Sequence, residues 1–122
     1  HYQEALLIFP NYKAYIYGLA DVYLRIYKSK EAILLLEEYL SIYPRDANLY
    51  QLLAKAHSKN RSLYEEYKNL SEFFYYSYDL KEAANQMISA INSADASFYD
   101  KARAEHRLKE IQAEITLYEN VQ

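Results

Sequence analysis

Amphipathic stretches follow one another along the chain, and short polar links separate them. Within each stretch the apolar residues recur at steps of three and four, which is the spacing of one helix face. The pattern predicts helices at about 2–9, 12–27, 30–43, 47–59, 62–78, 80–93 and 97–119. The last helix is the longest, and we expect its apolar stripe to lie in a groove between neighbouring helices and to close the array. The stripe consists of Ala104, Leu108, Ile111, Ile115 and Tyr118.

Polar residues that can accept hydrogen bonds stand at the predicted helix starts. N-caps are expected at Asn11, Asp46, Ser62, Asp79 and Ser97. Capping-box spacing relates Ser62 to Glu65, Asp79 to Glu82, and Ser97 to Asp100. A chain of 122 residues with one glycine and two prolines has few sites for tight β-turns. The expected fold class is therefore all-α, with short links between the helices.

A period of 34 residues relates the first helix pairs. Pro10 and Pro44 are 34 residues apart, and two predicted helices lie between them. Paired helices with this period are typical of tetratricopeptide repeats. In that register Tyr39 stands where the repeat usually has a small residue, so we expect wider helix packing there. The next pair is out of phase, because its small residue Ala83 follows Ala32 by 51 residues, or one and a half periods.

The sequence thus predicts one tetratricopeptide-repeat domain over residues 1–122. It would be an antiparallel helical array, an α-solenoid, with about six full helices, a truncated N-terminal helix and a long closing helix. Residues 1–11 would be the remnant of a preceding repeat and 12–46 a full repeat. Residues 47–96 would hold the phase-shifted repeats, and 97–119 the closing helix.

Composition narrows the possible functions. The net charge of −3 comes from acidic and basic residues mixed along the chain, which does not favour nucleic acid as a partner. The absence of cysteine excludes disulfides and thiol chemistry. The longest apolar runs, Ala5 to Phe9 and Ala32 to Leu36, are much shorter than the ~18 residues that a membrane span needs. We expect a soluble protein.

Candidate catalytic and metal-binding residues are few. The three histidines are His1, His57 and His106. Glu105 and His106 are adjacent, so their side chains point about 100° apart on a helix and cannot share a metal as an i, i+4 pair does. His57 is expected to be a partly buried packing residue. The sole glycine, Gly18, lies inside a helix, where we expect it to permit a close helix contact. The sequence therefore predicts neither an enzyme nor a cofactor in this chain.

The repeat register assigns one set of residues to a concave, partner-binding face. Its charges are mixed and it includes three tyrosines, which suit protein recognition. The set consists of Tyr17, Asp21, Leu24, Arg25, Asn48, Gln51, Lys55, Lys59, Lys68, Glu72, Tyr75 and Tyr76. The Lys/Asn pattern with which some repeats hold a C-terminal carboxylate is not present.

Five aromatic rings are concentrated in the segment FFYYSY, from Phe73 to Tyr78. At 100° per residue, Phe74 and Tyr78 are predicted to join Leu63, Tyr67 and Leu70 on a buried stripe. Phe73 would lie on a third flank. Tyr75 and Tyr76 remain as the expected ligand contacts.

The segment DLKEAANQMISAI, followed by FYDKARAEHRLKEI, resembles a known family. It is similar to the C-terminal tetratricopeptide domain of bacterial periplasmic zinc metalloproteases of the β-barrel assembly-enhancing protease type. The resemblance implies a periplasmic location and a role in recognising substrates or outer-membrane β-barrel assembly components. It also implies a zinc-binding catalytic domain elsewhere, because H-E-x-x-H is absent here. The alternative is a free-standing scaffold or chaperone-adaptor fragment unrelated to a protease.

Overall fold

The computed structural model describes residues 12–121, and they form six α-helices and no strand. In chain order these are α1 Tyr12–Arg25, α2 Ser29–Leu40, α3 Ala47–Lys59, α4 Leu63–Tyr76, α5 Leu80–Ile91 and α6 Phe98–Val121. The all-α prediction is confirmed for this part of the chain. The predicted helix at 2–9, its preceding-repeat role and the N-cap at Asn11 lie outside the described residues.

Side-chain caps start three of the helices. Asp46 accepts a hydrogen bond from the Asn48 backbone N–H at 3.0 Å, and Asp79 accepts one from the Glu82 N–H at 3.2 Å. A full capping box begins α6, because the Ser97 hydroxyl accepts from the Asp100 N–H and the Asp100 carboxylate accepts from the Ser97 N–H, both at 3.0 Å. The predicted box at Ser62 is wrong, since that side chain makes no capping hydrogen bond.

Three helices end in the same tight turn without a glycine. Tyr27, Arg61 and Tyr78 have φ angles of 63°, 58° and 66°, in the left-handed region. After α4, the Asp79 N–H bonds the Phe74 carbonyl at 2.9 Å and the Tyr78 N–H bonds the Tyr75 carbonyl at 3.1 Å, which is a Schellman motif. A left-handed residue with a side chain costs about 1–2 kcal/mol, and glycine avoids this cost.

Consecutive helices run antiparallel. Tyr50, near the start of α3, stacks on Tyr76 at the end of α4, with ring centroids 5.4 Å apart. The Ser71 hydroxyl in α4 donates to the Ala83 carbonyl in α5 at 2.7 Å. Each helix packs chiefly against the helices next to it in the sequence, with further contact between α1 and α3 and between α4 and α6.

The core is a series of small clusters between neighbouring helices. The largest joins Ile16, Ala20, Leu35, Leu36, Tyr39, Leu49 and Leu53 from α1, α2 and α3. Tyr39 is fully buried in it. A second cluster joins Ala83 and Ala84 of α5 to Ile111 of α6. Of the predicted α6 stripe, the part from 104 to 115 packs inward, but Tyr118 is exposed, because α6 continues beyond the start of α5.

Gly18 has open space around it within the described residues. A Cβ atom built there would meet nothing within 4 Å. The interpretation of Gly18 as a close-packing position is therefore wrong for this part of the chain. Among residues 12–121, no helix combines the length and the apolar character needed to cross a bilayer.

Candidate functional site

A groove of about 970 Å³ lies at the edge of the molecule where the α2–α3 link, the end of α4 and the second half of α6 meet. We call it the tyrosine groove, because Tyr75, Tyr76, Tyr78 and Tyr118 line it. Leu80 and Ile115 add apolar surface, and Arg45, Asp79, Lys81, Glu114 and Glu119 add charge.

The groove exists because α6 is long. With 24 residues it extends about 36 Å, whereas α5 has 12 residues and extends about 18 Å. Ile111 of α6 packs on Ala83 and Ala84 near the start of α5, so the last part of α6 passes beyond that start. Tyr118 and the turn that carries Tyr78 therefore line the same groove.

Stacked tyrosines join the groove to α3. Tyr76 meets Tyr75 edge to face at 5.0 Å and lies on Tyr50 at 5.4 Å with an interplanar angle of 14°. The Tyr50 hydroxyl donates to the Pro44 carbonyl at 2.8 Å, and burial raises the pKa of Tyr50 to about 12. These rings hold the end of α4 against the α2–α3 link, so this wall of the groove is fixed by packing.

A set of polar contacts, which we call the arginine clasp, ties α6 to α4. The Arg107 guanidinium donates to both carboxylate oxygens of Glu72, at 2.8 and 3.0 Å, and lies 4.3 Å from the centroid of the Tyr75 ring. The Tyr75 hydroxyl donates to Glu114 at 3.0 Å. Burial alone would lower the pKa of Arg107, but the hydrogen bonds and charge of Glu72 outweigh it and raise that pKa. The hydrogen bond to Glu114 raises the pKa of Tyr75.

Tyr78 and Tyr118 are the exposed aromatic side chains of the groove. Tyr78 is 93% exposed and Tyr118 is 61% exposed. Arg45 and Lys81 form no ion pair with any residue in 12–121. By contrast, the Asp79 carboxylate accepts a hydrogen bond from the Glu82 N–H at the start of α5, and the Glu114 carboxylate accepts one from the Tyr75 hydroxyl. The groove therefore offers two aromatic rings to a ligand, and two cations and the Glu119 carboxylate lie beside them.

The predicted concave-face residues of α4 are used in packing. Glu72 holds Arg107, and Lys68 pairs with Glu65 at 2.9 Å. Tyr75 and Tyr76 are partly buried against Arg107 and Tyr50. Both side chains also line the tyrosine groove, and their role as ligand contacts stays a prediction.

The predicted residues of α1 and α3 lie on a separate, charged surface. Asp21 pairs with Arg25 at 2.8 Å and with Lys55 at 3.8 Å, across the two helices. The Tyr17 hydroxyl donates to Asp46. Exposed positions nearby in these helices are Asn48, Gln51 and Lys59.

Leu24 does not belong to the partner-binding face, contrary to the prediction. It is 1% exposed and packs with Ala32 of α2 and Ala56 of α3. It cannot contact a partner, because α1 turns this position toward its neighbours.

The residues that α4 buries differ in part from the predicted stripe. Phe74 does pack against Ala83, Ala84 and Ile111. Leu63 and Tyr78 are exposed, so their assignment to the core is wrong. Tyr78 lies beyond the helix end, where a rotation of 100° per residue no longer applies. Sequence reasoning therefore missed Tyr78 and Tyr118 as surface residues.

A smaller polar cavity of about 240 Å³ lies between α2, α3, α4 and α6. His57 lines it, as a partly buried residue in agreement with the prediction. Its Nε2 atom is 4.0 Å from Glu65, and its buried Nδ1 atom has no hydrogen-bond partner in the described part of the chain. Burial lowers the pKa of His57.

Neither cavity presents a metal centre. Within the described range, no three His, Cys, Asp or Glu side chains are placed to hold a metal ion. No protein-family model matches the chain, and no curated protein matches it.

Proposed function

We propose that this chain is a protein-interaction domain of the tetratricopeptide type and that the tyrosine groove holds a segment of its partner. The observation that carries the proposal is the pair of exposed rings, Tyr78 and Tyr118, in a groove with a packed wall. Beside them lie Arg45 and Lys81, which form no ion pair with any residue from 12 to 121. Tyrosine gives a large contact area at a low cost in side-chain entropy.

The spacing of the helices supports a repeat architecture. Consecutive helices begin 16 to 18 residues apart, so two helices span about one 34-residue period. The links after α1, α3 and α4 have three residues, and those after α2 and α5 have six. This order supports a solenoid in which α4 is the second helix of one repeat and the first helix of the next. The repeat register of the sequence shifts at the same place.

The resemblance of residues 79–91 and 98–111 to the periplasmic zinc metalloproteases supplies the context. In this proposal the chain is the recognition module of such a protease and acts in the quality control of outer-membrane protein assembly. Zinc and catalysis would belong to a separate catalytic domain, and the partner would be a β-barrel assembly component or the protease domain itself.

Site-directed photocrosslinking tests the proposal. A photoreactive phenylalanine derivative at position 78 or 118 should crosslink to purified β-barrel assembly components. The same derivative at position 27 is the matched control, since Tyr27 is also exposed and left-handed but lies after α1. Equal crosslinking at all three positions would count against the groove. Loss of binding in Asp21→Lys or Lys55→Glu, with Tyr78→Ala unaffected, would move the site to the α1–α3 surface.

A further inference from the structure

A basic surface lies at the edge of the molecule opposite the tyrosine groove. Helices α1 and α3 both end there, and Leu24 of α1 packs with Ala56 of α3 close to those ends. The segments 25–31 and 55–61 together hold six Lys and Arg residues and one acidic residue, in a chain whose net charge is −3. We call these two segments the basic edge. Its exposed cations are Arg25, Lys28, Lys30, Lys55, Lys59 and Arg61.

Most cations of the basic edge have no partner in the described fold. Asp21 pairs with Arg25 at 2.8 Å and with Lys55 at 3.8 Å. The remaining cations of the basic edge form no ion pair with any residue from 12 to 121. The basic edge therefore has positive charge available to an external anion.

Acidic side chains on the same side of the molecule are held within the fold. Asp95 accepts a hydrogen bond from the Tyr64 N–H, and Asp100 accepts one from the Ser97 N–H. Glu31 and Glu66 each lie in the first turn of a helix, where the helix dipole stabilises a carboxylate. These carboxylates have local roles at helix starts and do not neutralise the basic edge.

Helix stability does not account for all of the cations. Arg25 and Lys59 lie in the last turns of α1 and α3, where the helix dipole favours a positive charge. Lys28 and Lys30 lie at the start of α2, where the dipole disfavours one. Lys28 occupies the N-cap position, but its side chain has no acceptor with which to cap the helix. An external anion would offset this local cost.

Two large side chains with apolar surface project between the cations. Ile26 is 52% exposed and Tyr27 is 89% exposed. Their turn is closed by hydrogen bonds from the Lys28 N–H to the Tyr23 carbonyl at 2.7 Å and from the Tyr27 N–H to the Leu24 carbonyl at 3.3 Å. A purely acidic polymer would pair with the cations but gain nothing from Ile26. An anionic bilayer surface suits both, because its phosphates attract cations and its interface takes up tyrosine and aliphatic groups.

We propose that the basic edge binds the surface of an anionic lipid bilayer. Tyr27 and Ile26 enter the headgroup region, and Lys28 and Lys30 pair with lipid phosphates beside them. The tyrosine groove, at the opposite edge, then faces away from the bilayer and stays open. This inference uses a different surface from the proposed function and does not depend on it.

Cosedimentation of the full chain with vesicles tests the proposal. We expect binding to phosphatidylcholine vesicles that contain phosphatidylglycerol, weakening as salt is added, and no binding to phosphatidylcholine alone. The double variant Lys28→Gln and Lys30→Gln should lower the partition coefficient at least about tenfold, since each cation near the surface contributes on the order of fivefold. Its melting temperature should stay equal or rise, because both lysines oppose the α2 dipole.

A matched double variant has the same change in charge at other positions. Lys81 and Lys109 are exposed and lie away from the basic edge, at the start of α5 and in the middle of α6. Replacing both with glutamine should change vesicle binding less than about threefold. Equal losses in the two double variants would overturn the assignment to the basic edge.

Tryptophan fluorescence locates the contact, because the chain has no tryptophan of its own. Emission of Tyr27→Trp should shift to shorter wavelength on anionic vesicles, and brominated lipids should quench it. Tyr78→Trp is the control, since position 78 is also exposed and left-handed but lies at the opposite edge, and its emission should not shift. A shift at position 78 with none at position 27 would refute the proposed orientation.

The remaining outcomes separate the bilayer from other anions. Binding to polyglutamate or to duplex DNA, with none to anionic vesicles, would overturn the bilayer as the partner. Vesicle binding that is insensitive to salt and to the lysine pair would overturn the role of the cations. Photocrosslinking at positions 78 and 118 needs no lipid, so the proposed function can fail or hold independently of this result.

Discussion

Replacing Tyr39 with phenylalanine removes one hydroxyl group from the largest core cluster. The ring is fully buried, and its hydroxyl has no hydrogen-bond partner in the described part of the chain. Leaving a buried polar group unpaired costs about 1–3 kcal/mol, and the variant removes that cost without leaving another group unpaired. The vacated oxygen position reduces the gain, so we expect Tyr39→Phe to stabilise the domain by about 1 kcal/mol.

The neighbouring Tyr17 provides a matched variant with the opposite expected sign. Its ring centroid is 6.3 Å from that of Tyr39, but its hydroxyl donates to Asp46. Tyr17→Phe makes the same chemical change and removes a hydrogen bond to a carboxylate. We expect a loss of about 1–2 kcal/mol, with Lys13 still paired to Asp46 at 3.0 Å.

Urea denaturation followed by far-UV circular dichroism measures both variants. For a chain of this size, 1 kcal/mol corresponds to a melting-temperature shift of about 3–5 °C, which thermal denaturation would resolve. A loss of stability in Tyr39→Phe greater than about 0.5 kcal/mol would refute the reasoning, because it would mean that the hydroxyl is satisfied in the folded protein. Equal effects of the two variants would refute it as well.

Three further expectations concern the clasp, the polar cavity and α1. Arg107→Met leaves the largely buried Glu72 carboxylate unpaired, so it should lower the free energy of unfolding by about 2 kcal/mol and speed hydrogen exchange in α6. An equal loss in Arg103→Met, the control at an exposed arginine, would contradict this. Burial lowers the pKa of His57 in the folded protein below the unfolded value of about 6.5. As the pH falls, the unfolded chain therefore binds the proton first, and the stability present above pH 6.5 is lost until the pH has passed the folded pKa. His57→Gln should flatten the dependence of unfolding free energy on pH in that range, and an unchanged slope would exclude His57 as its source. Gly18→Ala should stabilise the protein by about 0.5–1 kcal/mol in urea denaturation, and destabilisation would mean that something packs closely on this glycine.

The helix boundaries were predictable from the sequence because local signals determine them. The caps at Asp46, Asp79 and Ser97 lie immediately before observed helices. The apolar spacing of α6 also predicted which of its residues from 104 to 115 pack inward. Both signals come from residues within one or two turns of each other.

The accessible residues of the groove were not predictable in the same way. Tyr78 was assigned to a helix face, but it lies in a left-handed turn after the helix, where the register ends. Tyr118 was assigned to the apolar stripe, but its exposure depends on how far α6 extends past α5. Glu72 was expected at the surface, and only the fold brings Arg107 to it, 35 residues away.

The packing of each helix on its sequence neighbours has a consequence for how the domain folds. Contacts between residues close in the sequence form after only short loops have closed, so folding should be fast, in the range of about microseconds to milliseconds. Contact between α3, α4, α5 and α6 is more extensive than contact of α1 and α2 with their neighbours among the described residues. Helices α3 to α6 should therefore form the nucleus, and α1 and α2 should attach last and detach first when the domain is pulled from its ends.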